Sequence, residues 1–386
     1  MFSTLTMYIT QALLIISALF LPISASNSNS SKRHGKPIII DTDILSDVDD
    51  VGSLAVANVL HNCGLANLLG VTINTHSSYG ALAVSAINTY FGNADVPIAA
   101  IRPFTNETFF DSREYVLSEY VSKVAYNWPR SLNDSSATPT PVELYRSILS
   151  SSEDKNVTII SIGFLTNLAE LLNSPADDIS PLTGSSLVSA KVKELVVMGG
   201  KYPSGWEFNF GGSDPVSARQ VVESWPRDVP ITYSGFELGD DIFSGQQLKD
   251  LAPADSPVLA AYQWYVGRCS TIRESWDPVT TLYGILGLEG SKELCGQKLF
   301  AYANKNGYNT VSATDGSNAW VNSTDVTNQH WLQLADGVTN TTVSWVLNRL
   351  YAHDPSDKTC STYKTRDFSG LNGLCRGKDS IGTCHS

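Results

Sequence analysis

Residues 38–50 read Ile38-Ile39-Ile40-Asp41-Thr42-Asp43-Ile44-Leu45-Ser46-Asp47-Val48-Asp49-Asp50, an apolar run that breaks into five carboxylates within ten residues. Side chains of a strand alternate faces, so Asp41 and Asp43 point to one side. Asp49 and Asp50 then open an apolar, helix-like run through Val51, Leu54, Ala55, Val59 and Leu60. So many like charges do not share a small volume uncompensated: some protonate, or a cation neutralises them. A hard divalent ion with oxygen ligands is the simplest solution.

The strand-then-helix pattern recurs along the chain. Apolar, β-branched runs lie at 37–40, 68–73, 96–101, 157–162, 194–198 and 229–233, with helix-period segments at 51–61, 80–91, 142–150, 166–173 and 214–224. Alternation of this kind predicts an α/β fold, a mostly parallel open sheet with helices on both faces and a Rossmann-like core. Asp214-Pro215 and Asp277-Pro278 each place an N-cap acid before a first-turn proline. Residues 104–141 are polar and rich in Pro and Ser, and read as a long surface insertion. The layout suggests one catalytic domain over 36–350 and a Cys-containing tail over 351–386.

A net charge of −12 argues against holding a nucleic-acid polymer by its phosphates and leaves a small neutral substrate open. Residues 1–25 read as a secretory signal peptide: Leu13 to Leu21 is apolar and Ile23-Ser24-Ala25 offers small residues for cleavage. The apolar run is short for a spanning helix, so the mature form is expected free of membrane. Residues 26–35, with Lys32-Arg33, read as a flexible or processed segment. N-glycosylation sequons start at Asn29, Asn106, Asn133, Asn156, Asn322 and Asn340, which points to a eukaryotic secretory route and an extracellular protein. The six cysteines, Cys63, Cys269, Cys295, Cys360, Cys375 and Cys384, show no zinc spacing, and their even number fits disulfides, at least one pinning the tail.

In a parallel sheet, sites form where strands end at their carboxyl side. Three further stretches have that placement. The 157–162 run leads into Gly163-Phe164-Leu165-Thr166-Asn167. The 194–198 run leads through Gly199-Gly200 to Trp206-Glu207-Phe208-Asn209, and Ser275-Trp276-Asp277-Pro278 opens a late helix. These pieces, in this order, resemble the nucleoside hydrolases, the inosine-uridine-preferring nucleoside N-ribohydrolase family. The resemblance runs from about Lys36 to Tyr283.

The resemblance implies a Ca²⁺ ion at the bottom of a pocket, held by Asp43, Asp50, the carbonyl of Ile162 and Asp277, with water and ribose hydroxyls completing the shell. It implies Asp49 as general base toward the attacking water, Glu207 and Asn209 as ribose-hydroxyl contacts, and Met198 as a lining residue. The implied activity is cleavage of ribonucleosides to free base and ribose by a homodimer or homotetramer. Two departures stand out. The family motif Asp-x-Asp-x-Gly-x-Asp-Asp is two residues longer here, with Leu45 at the glycine position and Asp47 as an extra acid, either a supporting partner or a competing base. Trp276 stands where several members carry His, a candidate proton donor to the leaving base. Tryptophan stacks on a base but does not act as its acid. His76, Tyr79, Tyr265 and Arg268 are candidates for that task by neighbourhood. Of Trp206, Trp264 and Trp276, one is expected to line the base pocket, Trp276 first. Asp41 is either a ligand or a support behind the ligands.

Three other readings compete. An Asp-x-Asp phosphatase leaves Glu207, Asn209 and Asp277 unexplained. An EF-hand fails for want of its closing Glu. A non-catalytic secreted nucleoside binder or effector would keep the fold and lack the histidine.

Overall fold

The computed structural model describes residues 35–109, 119–267 and 269–357. The signal peptide, Lys32-Arg33, Arg268 and the cysteines at 360, 375 and 384 lie outside these residues.

An eight-stranded sheet forms the centre, in the order Phe300–Tyr302, Gln329–Leu334, Ile231–Ser234, Val192–Met198, Val157–Ile162, Lys36–Thr42, Ala66–Ile73, Ile98–Ala100. All neighbours are parallel except the first pair, which is antiparallel. The six strands expected from the sequence are the six consecutive inner and right-hand strands. They leave the Lys36–Thr42 strand in both directions: the next two in the chain add on one side, the later three on the other. The boundary between Lys36–Thr42 and Val157–Ile162 is therefore a topological switch point, where a crevice opens beyond the carboxyl ends.

Alternation along the first strand makes two cores. Ile38 and Ile40 pack with the Asp49–Asn62, Ser78–Tyr90 and Trp276–Cys295 helices, and Ile39 packs with Pro141–Ser151, Thr166–Asn173 and Pro215–Ser224. The sheet is covered on both faces, which is why its strands are near-continuous apolar runs.

Four parts of the fold differ from the expectation. Residues 119–141 are not a surface insertion throughout, because Tyr120, Val121, Val124 and Ala125 are buried around the Val121–Asn127 helix. The Phe300–Tyr302 and Gln329–Leu334 strands were not anticipated: they are short, and polar residues interrupt their apolar pattern. Helices at Gly184–Lys191, Pro257–Tyr265 and Asn340–Tyr351 were also unforeseen. Asp214 caps its helix as expected, accepting from Val216 N (3.1 Å) and Ser217 N (3.2 Å). Asp277 does not: Ser275 is the N-cap, and Asp277 sits inside the first turn.

That late helix is fixed by close packing. The hydroxyls of Ser53 and Thr281 hydrogen-bond across to the Asp49–Asn62 helix. On its other side Gly284 meets the sheet so tightly that a Cβ there would lie 2.5 Å from Ile160 Cδ1 and 2.7 Å from its Cγ1. Gly284→Val should therefore overpack this seam and cost about 1–3 kcal/mol, read as a lower denaturation midpoint at unchanged m-value.

Candidate functional site

The chain leaves its first strand at Thr42 and turns at once into a buried acidic bend. Asp43, Asp49 and Asp50 are all buried, and the late helix brings Asp277 to them. One carboxylate oxygen from each of Asp43, Asp50 and Asp277 lies within 4.8 Å of the others. Asp49 is held beside this triad, its Oδ2 accepting from the Asp277 backbone N–H at 3.1 Å. Thr42 donates its hydroxyl to Asp50 Oδ1.

Two strand ends make this approach possible. Ile162 ends its strand opposite Thr42, and a Cβ on the next residue, Gly163, would lie 2.5 Å from the Asp43 backbone nitrogen. Only glycine lets the two turns come this close.

Asp41 is one layer further back. Its Oδ2 accepts from Tyr145 OH (2.6 Å), and its Oδ1 from Asn74 Nδ2 (2.7 Å) and Asn167 Nδ2 (3.1 Å). Asn74 also donates to the Phe164 carbonyl at 2.9 Å. Asp41 thus ties three segments into the floor of the site, and it is a support rather than a member of the triad.

Burial raises the carboxyls of Asp43, Asp49, Asp50 and Asp277 well above their ordinary range, and their mutual repulsion, with that of Asp47, adds to it. Burial also pushes Asp41 up to about 6, against the pull of its hydrogen bonds. Asp49 Oδ1 and Asp50 Oδ2 are buried with no hydrogen-bond partner. Orphaned carboxylate oxygens of this kind are costly unless a cation takes them. An all-oxygen set with unpaired atoms suits a hard metal ion, so the triad could hold one.

Above the acids opens a cavity of about 480 Å³, lined by Asp43, Asp47, Glu207, Asn209 and Asp277 on its polar side and also by Met198. Met198 ends its strand, and its carbonyl accepts from Asn209 Nδ2 at 3.2 Å. Glu207 caps the short Phe208–Gly211 helix. Its Oε1 accepts from Asn209 N (2.7 Å) and its Oε2 from Gly200 N (3.0 Å) and Phe210 N (3.3 Å). Burial nonetheless pushes Glu207 up to about 7.

The apolar wall consists of Trp206, Phe208, Phe236 and Trp276. Trp276 stacks on Phe236 at 5.5 Å, and its indole N–H donates to the Phe236 carbonyl at 3.0 Å. Trp206 donates to the Asp315 carbonyl at 2.8 Å. That carbonyl belongs to the turn between the Tyr308–Val311 and Asn318–Val321 strands, a hairpin that also pairs with Ser204–Gly205. Asn318 Oδ1 accepts from Lys201 N at 2.8 Å. The hairpin thus braces the loop that carries Trp206, Glu207 and Phe208.

Asp47 lines the cavity, but it is paired: its Oδ2 lies 3.3 Å from Arg273 Nη2. That favours a supporting role over a competing base. His76, a candidate by neighbourhood, is exposed, with Nδ1 2.8 Å from the Pro103 carbonyl, and does not line the cavity. Trp264 packs edge-on to Trp128, and Tyr79 to Tyr126, both outside the cavity lining. Tyr265 is buried beneath Arg273. Arg273, Lys201, Phe208 and Phe236 are lining residues that the sequence did not single out. Arg273 stands three positions before Trp276, and Phe208 between Glu207 and Asn209, so adjacency to the motifs was the one available signal.

The sequence pattern of the inosine-uridine preferring nucleoside hydrolases matches residues 38–316. Among solved structures the chain is similar to a plant nucleoside hydrolase, at 17% identity over 82% of this chain and 99% of that one, with a TM-score of 0.57. It is similar to a purine-preferring ribonucleoside hydrolase from Gardnerella vaginalis at 17% identity, over 88% and 100%, with a TM-score of 0.58. It is also similar to the type III effector XopQ, solved with adenosine diphosphate ribose, at 15% identity, over 82% and 94%, with a TM-score of 0.55. At these identities the likeness concerns the fold. No curated protein matches the chain.

Asp41 at about 6 and Glu207 at about 7 bind protons more tightly than their ordinary values of 3.8 and 4.5. Their contribution to stability is complete below the unfolded values and is lost as pH rises through the folded ones. In chelator, the thermal midpoint should fall as pH rises from about 4 to about 7. A midpoint that climbs across that window would contradict the burial of these acids.

Proposed function

The chain belongs to the inosine-uridine preferring nucleoside hydrolase family, and on that premise we propose that it is a secreted, calcium-dependent nucleoside N-ribohydrolase. It would cleave the N-glycosidic bond of ribonucleosides to free base and ribose. The observation that carries this reading is the buried triad of Asp43, Asp50 and Asp277, with the unpartnered Oδ1 of Asp49 beside it.

A calcium ion on Asp43, Asp50, Asp277 and the Ile162 carbonyl would neutralise the acids, fix a water and make it more acidic. Asp49 takes the proton from the attacking water. Its Oδ2 is anchored by the Asp277 amide, which leaves Oδ1 for that task. A carboxyl raised by burial is a better base near neutral pH than an ordinary one. The sugar passes through an oxocarbenium-like state, and the buried carboxylates favour its positive charge. Glu207 and Asn209, both in the cavity lining, would read the ribose hydroxyls. Trp276 and Phe236 give the base an aromatic wall.

Export is supported by the sequence of residues 1–25 and by the exposure of the sequon residues Asn106, Asn133, Asn322 and Asn340. Disulfides among the six cysteines belong to the same proposal, as does a homodimer or homotetramer. Among the described residues no helix is long and apolar enough to cross a membrane.

One observation favours a second reading, a binder or effector that keeps the fold without turnover. The indole N–H of Trp276 is spent on Phe236, so nothing at that position donates to a leaving base. Likeness to an effector solved with adenosine diphosphate ribose fits this reading.

Protein collected from the medium of expressing eukaryotic cells should release base from at least one of inosine, adenosine, guanosine, uridine and cytidine. Asp49→Ala should lower that turnover by about 10²–10⁴-fold without unfolding the chain. Binding without release by the native protein would give the second reading, and substantial activity in the variant would shift the base role to Asp47. Calorimetric titration of chelated protein should show one Ca²⁺ per chain, with heat and activity both lost in Asp50→Asn. Full activity in Asp50→Asn would remove the metal assignment.

A further inference from the structure

A nucleobase is a poor leaving group, yet none of the described residues lining this cavity is a histidine. The side-chain donors of the wall are mostly engaged. Trp276 N–H is given to the Phe236 carbonyl, Trp206 N–H to the Asp315 carbonyl, the Asn209 amide to Met198, and the Ser46 hydroxyl to Asp47 Oδ1 at 3.1 Å. Two cations also stand in the lining, Lys201, which is exposed, and Arg273, which is 9% exposed and hydrogen-bonded.

Arg273 is the better organised of the two. Its guanidinium carbon lies 5.4 Å from the centre of the Tyr265 ring and 5.1 Å from that of Trp276. Nη1 donates to Glu274 Oε2 at 2.7 Å and Nη2 to Asp47 Oδ2 at 3.3 Å. Two rings and two carboxylates therefore fix one cation against the proposed base wall. Its link to Asp47 ties it to the turn that leads into Asp49. A guanidinium has five N–H donors in a rigid fan, so one group serves several acceptors at once. A donor fixed before the reaction needs no reorganisation when charge develops.

We propose that Arg273 is a catalytic residue that receives the departing base, an assignment that rests on the hydrolase reading above. The C1′–N bond breaks and its electron pair goes to the base. The water oxygen bonds to C1′, and one water proton goes to Asp49. Arg273 keeps its own protons, because a guanidinium is not an acid at neutral pH. It holds the base as an anion by hydrogen bonding and charge, and the base takes its proton from solvent. The Asp49 proton returns to solvent, so the reaction closes as nucleoside plus water to ribose plus base. In this chain charge stabilisation does the work that an imidazole acid would do.

The test compares leaving groups on the full, calcium-loaded protein. The probes are the best natural ribonucleoside and 4-nitrophenyl β-D-ribofuranoside, whose phenolate departs without help. Arg273→Met should lower kcat/KM for the nucleoside by about 10²–10³-fold, the loss typical of one removed electrostatic donor, and change nitrophenyl riboside cleavage little. Retained nitrophenyl activity also shows that the variant is folded. If Arg273→Met does not fold, Arg273→Lys, which keeps the charge and loses the fan, should show the same selectivity with a smaller loss. Equal loss on both probes, or no loss on either, overturns the proposal while leaving the hydrolase reading intact. A native protein inactive on both probes removes the hydrolase reading and this assignment with it.

Discussion

The structure is organised around unbalanced negative charge. Asp41, Asp43, Asp49, Asp50 and Asp277 are all buried, and Arg273, which lines the same cavity, pairs with Asp47 and Glu274. Such a cluster is tolerable only with protons or with a metal ion, and either demand reaches the rest of the fold. Asp41 recruits Tyr145, Asn74 and Asn167 from separate segments, Gly163 yields its side chain to Asp43, and the late helix enters with its first turn aimed at the acids. The switch point of the sheet supplies the space in which these pieces converge.

Much of this was legible in the sequence because the relevant signals are local. Six β-branched runs became six adjacent parallel strands, and five periodic segments became the helices that cover them. The acids at 41–50, the Gly163 turn, Glu207, Asn209 and Asp277 were identifiable because each follows a strand end or opens a helix. What stayed hidden depends on the partner a side chain finds. Asp41 and Asp43 share an alternation pattern, yet one is saturated by three donors and the other belongs to the triad. Asp277 carries the signature of an N-cap, but the helix begins one residue before it. His76 is in the neighbourhood by number alone, since the chain after Ile73 carries it to Pro103. Arg273 had no motif of its own, and its importance comes from Asp47, some two hundred positions earlier in the chain.

The cavity wall shows a division of labour between the sheet and what is added to it. The sheet fixes the acids, whose spacing must be held tightly. The aromatic side is braced by the hairpin of Tyr308–Val311 and Asn318–Val321, through Asp315 to Trp206 and through Asn318 to Lys201. Tyr202 joins the same brace, since its hydroxyl accepts from Asn309 and its ring stacks on Trp331. Loops on a rigid scaffold are where substrate preference is usually set. Here that loop has a scaffold of its own, far along the chain from the acids.

Glu207 gives this arrangement a mechanical side. Its two oxygens grip the amides of Gly200, Asn209 and Phe210, and so close a ring of backbone around a single side chain. The same oxygens stand in the cavity wall. A ligand hydroxyl that reached them would compete with three backbone amides for the same two oxygens. Occupancy of the pocket and the shape of the loop would then be linked through a single carboxylate.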